Sequence, residues 1–154
     1  MVLEDVFLKD AILINLESTE KDELFEEMIY FLHSAYPVFD ANEALKSLNA
    51  REEKMSTGIM HNVAVPHAVV SSLKKGAIGA IGISKNGIDY DSLDKSPVKV
   101  VFMILAGEDE TEKHIQILKS LALVLQKPDF LDKLCSCKTQ TEAFNLLVQF
   151  EEAV

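Results

Sequence analysis

Val98-Lys99-Val100-Val101-Phe102-Met103-Ile104-Leu105 is apolar at every position but Lys99, the pattern of a strand covered on both faces. A central strand is expected there, inside a sheet that carries helices on each side. Upstream, Ala77 to Ser84 predicts a second strand, followed by Lys85-Asn86-Gly87-Ile88, where Asn-Gly signals a tight turn. Ala11 to Leu16 is a short apolar run and a further strand. Helical patterns lie between these runs. Ser18/Thr19 are the expected N-cap of a helix reaching about Ala35, in which Leu24, Phe25, Met28, Ile29 and Leu32 recur at helical spacing. Asp40 opens another, with Glu43 completing a capping box and Ala44, Leu45 and Leu48 forming the buried stripe, and it ends near Met55, before Gly58. The C-terminal third reads as helices over Thr111 to about Gln126, after Pro128, and from Thr139, capped with Glu142. Nothing repeats and no Pro/Gly/Ser-rich linker divides the chain. The expectation is one α/β domain over 1–154, a three-layer sandwich with a mixed central sheet and helices on both faces.

Composition narrows the function classes. The formal net charge of −10 argues against nonspecific nucleic-acid binding, which needs clustered Lys and Arg. An acidic surface suits a basic protein partner, or serves solubility alone. The apolar run from Val98 to Ala106 is far short of the roughly 20 residues of a membrane-spanning helix, so no membrane insertion is expected. The start, MVLEDVFLKD, lacks the basic, apolar and small-residue regions of a secretory signal. A cytoplasmic location is therefore expected. Cys135 and Cys137 have neither zinc-site nor Cys-x-x-Cys spacing, and read as free thiols.

The chemistry-bearing stretch is Arg51-Glu52-Glu53-Lys54-Met55-Ser56-Thr57-Gly58-Ile59-Met60-His61-Asn62-Val63-Ala64-Val65-Pro66-His67-Ala68. A helix gives way to Ser-Thr-Gly, then to an extended segment, Ile59 to Pro66, that ends at His67. A neutral imidazole, with an ordinary pKa of about 6.5, offers a nitrogen lone pair that can attack phosphorus. Phosphoryl transfer asks the protein for positioning and for donors to the phosphoryl oxygens. Arg51 could supply forked N–H donors, and Ser56 and Thr57 hydroxyls or amides. Taken alone, His67 reads rather as an ordinary surface or hydrogen-bonded histidine; Arg51 reads also as a solvated helix terminus, and Ser56-Thr57 as a helix stop.

The run R-E-x-x-x-S-T-G-I followed by Val63-Ala64-Val65-Pro66-His67 resembles the active-site segment of the mannitol/fructose class (type 2) of phosphotransferase-system enzyme IIA domains. Ile88, then Leu93-Asp94-Lys95-Ser96-Pro97-Val98, the strand to Ala106 and His114 extend the likeness from about Val6 to Phe150. The resemblance implies a phosphotransferase. His67 would accept a phosphoryl group at Nε2 from an HPr-like carrier and pass it to an enzyme IIB cysteine, for sugar uptake through a membrane IIC component. It implies that Arg51 and His114 support His67, and that no metal or organic cofactor is needed. The second reading is a regulatory protein, like the nitrogen-branch relative, whose phosphorylation state controls partner binding.

Three positions depart from the family. Met60 and Asn62 stand where it usually has glycines, and Ala68 replaces the glycine after the histidine; glycine there would permit positive φ or close backbone approach. A third reading, a domain that binds without catalysis, rests on Met60 and Asn62. His61 and His67 are six residues apart and would share one side of an unbroken strand, which with His114 makes a metal site conceivable. No Cys, Asp or Glu stands at matching spacing, and His61 reads better as a pocket-rim residue. His33 reads as structural. His114 would fall in the first turn of a helix capped by Thr111, where the dipole disfavours an imidazolium.

Overall fold

The computed structural model describes residues 1–58 and 61–154. Helix α1 spans Val2–Val6, a 3-10 turn Lys9–Ala11, β1 Ile12–Leu13, α2 Lys21–Ala35, α3 Ala41–Lys54, β2 Val63–Ala64 and β3 His67–Val69. Strands β4 (Ala77–Ile88) and β5 (Val98–Ala106) follow, then α4 (Thr111–Leu125), α5 (Phe130–Cys135) and α6 (Gln140–Glu152). The sheet order is β1-β4-β5-β2, with β3 also on β5. Among the described strands only β4 and β5 are antiparallel; β1 runs parallel to β4, and β2 and β3 parallel to β5.

Strand β5 is central, as its apolar run requires. Val101, Met103 and Leu105 pack with Leu24, Phe25, Met28 and Ile29 of α2 and Ala44 and Leu48 of α3. Val100, Phe102 and Ile104 face the other way, into Leu3 and Val6 of α1, Ile117 and Leu121 of α4, Phe130 of α5 and Leu147 of α6. The period-two alternation of a strand thus divides one apolar run between two cores. The expected sandwich with helices on both faces is the architecture found. Cys135 and Cys137 are unpaired, and no described helix is long and apolar enough to cross a membrane.

Local expectations fail where distant groups intervene. The Ala11–Leu16 strand shrinks to Ile12–Leu13. Ser18 and Thr19 do not cap α2: the Ser18 hydroxyl donates to Glu27, the Thr19 carbonyl accepts from Asp89 N, and extended Glu20 is the N-cap. Asp40 does cap α3, accepting from Glu43 N at 3.0 Å. The box stays open because the Glu43 carboxylate turns to Ser71 Oγ and Ser72 N, which hold its carboxyl down at about 2. Thr139 caps α6 by accepting from Glu142 N, whose own carboxylate accepts from Lys138 N. Asn86-Gly87 makes no hairpin. It lies in an irregular stretch of β4, between the pairs Ile83/Val100 and Ile88/Val98, with Gly87 at φ 86°. The strand bulges where the dipeptide suggests reversal.

Gly79 allows α1 to close on the sheet. A Cβ there would lie 2.5 Å from the Phe7 ring and 2.8 Å from the Met103 carbonyl oxygen, and the backbone oxygen cannot step aside. Gly79→Ala is expected to lower stability by about 1–3 kcal/mol, the range for overpacking, measured by urea denaturation; an unchanged midpoint would contradict this packing.

Candidate functional site

Helix α3, the turn behind it, the β2–β3 connection and α4 converge on one cavity of about 320 Å³. Arg51, Met55, Ser56, Thr57, Val65 and His67 line one side; Leu118, Leu121, Ala122, Leu125 and Gln126 of α4 line the other. His67 begins β3 instead of ending the preceding strand, because Pro66 O accepts from Ile104 N at 3.0 Å and His67 then enters register with Ile104. The extended run expected over Ile59 to Pro66 is confined to Val63–Ala64, with His61-Asn62 in a turn; Ile59 and Met60 lie outside the described residues.

The His67 ring is oriented by its own backbone. Nδ1 lies 2.7 Å from Val65 O, and a carbonyl can only accept, so Nδ1 carries the proton and Nε2 the lone pair. Burial pushes His67 below the ordinary 6.5; the Val65 carbonyl opposes this, the Arg51 guanidinium adds to it, and Glu52 opposes it. His114 packs edge-on against His67, ring centroids 5.2 Å apart and planes at 83°. It too is pushed down, by burial first and then by His67. Its Nε2 is buried and has no hydrogen-bond partner among the described residues. Glu110, not Thr111, is the N-cap of α4, so the His114 amide closes the first helical turn onto Glu110 O at 2.9 Å.

Arg51 Nη1 donates to Met55 O at 3.1 Å, closing the end of α3. Ser56 Oγ accepts from Gly58 N. Thr57 is buried, and both its amide and hydroxyl donate to the Glu52 carboxylate, at 2.6 and 2.7 Å. His61 stands apart, around a different hollow with Lys99, Leu131 and Cys135. It does not rim the His67 cavity, because left-handed Asn62 (φ 63°) and the Val65-Pro66 break interrupt the alternation that would align the two histidines. Asparagine is among the residues that best tolerate that conformation, so Asn62 keeps a backbone otherwise suited to glycine. Ala68 is buried within β3. His33 stacks edge-on with Phe39 at 5.4 Å.

Residues 5–150 match the family described as "Phosphoenolpyruvate-dependent sugar phosphotransferase system, EIIA 2". The chain belongs to this family. Among EIIA 2 relatives, it is 32% identical over 152 residues to the PTS system fructose-specific EIIABC component of Bacillus subtilis, covering 99% of this chain and 24% of that protein. The chain thus spans about a quarter of that relative. It is 30% identical over 149 residues to a nitrogen regulatory protein of Pseudomonas aeruginosa, covering 97% of this chain and 96% of that one. The crystal structure of nitrogen regulatory protein IIA-Ntr from Neisseria meningitidis superposes with a TM-score of 0.86 at 26% identity, covering 96% and 99% of the two chains.

Behind Thr57, outside the cavity lining, lie groups that the sequence pattern did not single out. Glu52 is 8% exposed, and its carboxylate also accepts from Tyr90 Oη at 3.0 Å. Lys21 pairs with it at 3.5 Å and sits over the Tyr90 ring, 4.4 Å from its centroid. The signal was present: Ala44, Leu48 and Glu52 recur every fourth residue and all face inward. Leu118, Leu121 and Leu125 read as ordinary helix stripe, yet they also form the apolar wall facing His67.

Because burial favours the neutral ring, His67 and His114 are both expected to titrate below 6.5 in NMR, protonating only as pH falls under the ordinary imidazole range. A midpoint at or above 6.5 for either would contradict the buried pair.

Proposed function

We propose that the 154 residues form one phosphocarrier domain of the phosphoenolpyruvate-dependent sugar phosphotransferase system, working in the cytoplasm. His67 accepts a phosphoryl group from an HPr-like carrier and gives it to an enzyme IIB cysteine, which serves a sugar-transporting membrane IIC component. One observation carries this reading: Nδ1 is committed to Val65 O, so the free lone pair is on Nε2, within a cavity that Arg51 shares.

The Nε2 lone pair attacks the phosphorus of the donor's phosphohistidine. The new P–N bond forms as the old one breaks, and that electron pair returns to the donor imidazole. Positive character that develops on the His67 ring is met at Nδ1–H by the Val65 carbonyl. Arg51, with Nη1 on Met55 O, keeps its other guanidinium N–H groups for the phosphoryl oxygens. An Nε2–H on His114 supplies a further donor. Ser56 contributes its hydroxyl, and Thr57 lends its contact through the turn that Glu52 holds. In discharge a IIB thiolate attacks the phosphorus, the P–S bond forms as the P–Nε2 bond breaks, and that electron pair returns to Nε2 to restore the neutral ring. The chemistry asks for no metal or organic cofactor.

A second reading is supported by the full-length likeness to nitrogen regulatory proteins. The same His67 chemistry would then set which partner is bound, without feeding a sugar. Transfer of label from His67 to purified IIB distinguishes the two, since a charged chain that no IIB discharges would be regulatory.

Incubation with phosphoenolpyruvate, enzyme I and HPr is expected to add one acid-labile phosphoryl group, read by intact mass and absent in His67→Ala. No mass gain under conditions that charge a control enzyme IIA would overturn the reading. His114→Ala should still be charged, at a rate about 100- to 1,000-fold lower, as for loss of one oxyanion donor; an unchanged rate removes His114 from the mechanism.

A further inference from the structure

A continuous series of hydrogen bonds leads from a buried carboxylate to the His67 ring, and each link is a residue held at both ends. Glu52 Oε2 accepts from Thr57 N at 2.6 Å, and Glu52 Oε1 accepts from Thr57 Oγ1 at 2.7 Å. Thr57 O accepts from Val65 N at 3.2 Å. Val65 O accepts from His67 Nδ1 at 2.7 Å. Every donor in the series points back toward Glu52, so the bond dipoles align on an anion. The carboxylate itself is clamped by Tyr90 Oη, 3.0 Å from Oε1, and by Lys21 Nζ, 3.5 Å from Oε2. Burial and Glu52 raise the Tyr90 phenol well above its ordinary range, so it remains a donor.

We propose that Glu52 is the positioning residue of the His67 site, its buried carboxylate fixing Thr57, which fixes Val65, which sets the tautomer and tilt of the imidazole. The catalytic consequence rests on His67 being the phosphoryl acceptor; the orienting role does not. What the position demands is one oxygen on the Thr57 amide; the Thr57 and Tyr90 hydroxyls, 2.8 Å apart, can donate or accept and so take either a second carboxylate oxygen or an amide NH2. Position follows from side-chain length: Glu52 reaches the turn five residues ahead from the last full turn of α3, and a side chain one methylene shorter would leave the Thr57 amide out of reach.

Two conservative variants separate position from charge. Glu52→Gln keeps the length and an acceptor oxygen but removes the charge; Glu52→Asp keeps the charge and withdraws the oxygens. Both are compared with wild type by circular dichroism for folding, by 15N NMR of the His67 ring for tautomer, and by rate of charging from phospho-HPr. Glu52→Gln is expected to retain the Nδ1–H tautomer and to be charged within about threefold of wild type, whereas Glu52→Asp mixes tautomers and loses about tenfold or more, the scale of a small misplacement. The opposite order, wild-type behaviour in both, or a slowed rate with an unmixed Nδ1–H signal would each overturn the proposal. If wild type takes up no phosphoryl group, the proposed function fails, while the tautomer comparison, made without phosphorylation, still decides the role of Glu52.

Discussion

Strand β5 is buried on both faces and paired along both edges, and that constraint propagates outward. Because Val101, Met103 and Leu105 need one apolar layer and Val100, Phe102 and Ile104 another, helices must cover each side. Because β4 takes one edge antiparallel, the other is open to β2 and β3 in parallel. His67 is placed by that second edge: its strand is three residues long and has its register only through Ile104, Leu105 and Ala106. The His67 imidazole is thus mounted on a short strand whose register is set by the doubly covered β5.

Helix α3 is the second fixed body, and carboxylates tie it at both ends to chain around β3. At its N-terminus Glu43 holds Ser71 and Ser72, just past the strand. Near its C-terminus Glu52 holds Thr57, whose carbonyl then accepts from Val65 N, just before the strand. Arg51 is therefore held in step with His67 by connections made at both ends of its own helix. Across the cavity, α4 contributes His114 and an apolar wall, which lower the polarity around the two rings.

What could be read in the sequence divides along physical lines. Strand β5 and the cores of α2, α3 and α4 follow from periodicity, because burial of one face requires that spacing. The ends of elements follow from it less well. Ser18 and Thr19 have good capping chemistry, but Glu27 and Asp89 compete for them. Asn86-Gly87 has the composition of a reversal, but the strand resumes pairing at Ile88. For the site, the residue types singled out, Arg51, Ser56, Thr57 and His67, do line one cavity, with the His114 ring against His67. Glu52 escaped notice because a carboxylate beside an arginine, in a charged stretch, reads as solvent-facing. Its burial depends on Tyr90 and Lys21, remote in sequence, and no local pattern announces them.

Tyr90 gives that network an optical side. The chain has three tyrosines and no tryptophan, so no indole emission masks the phenols. Tyr30 is exposed and Tyr36 half-buried, whereas Tyr90 is enclosed with its hydroxyl on a carboxylate and an ammonium over its ring. A phenol that donates to a carboxylate absorbs to the red of one in water, and its fluorescence is quenched. The near-ultraviolet spectrum of this protein therefore carries a native signal from the buried network behind Thr57, one that can be followed in time without a label.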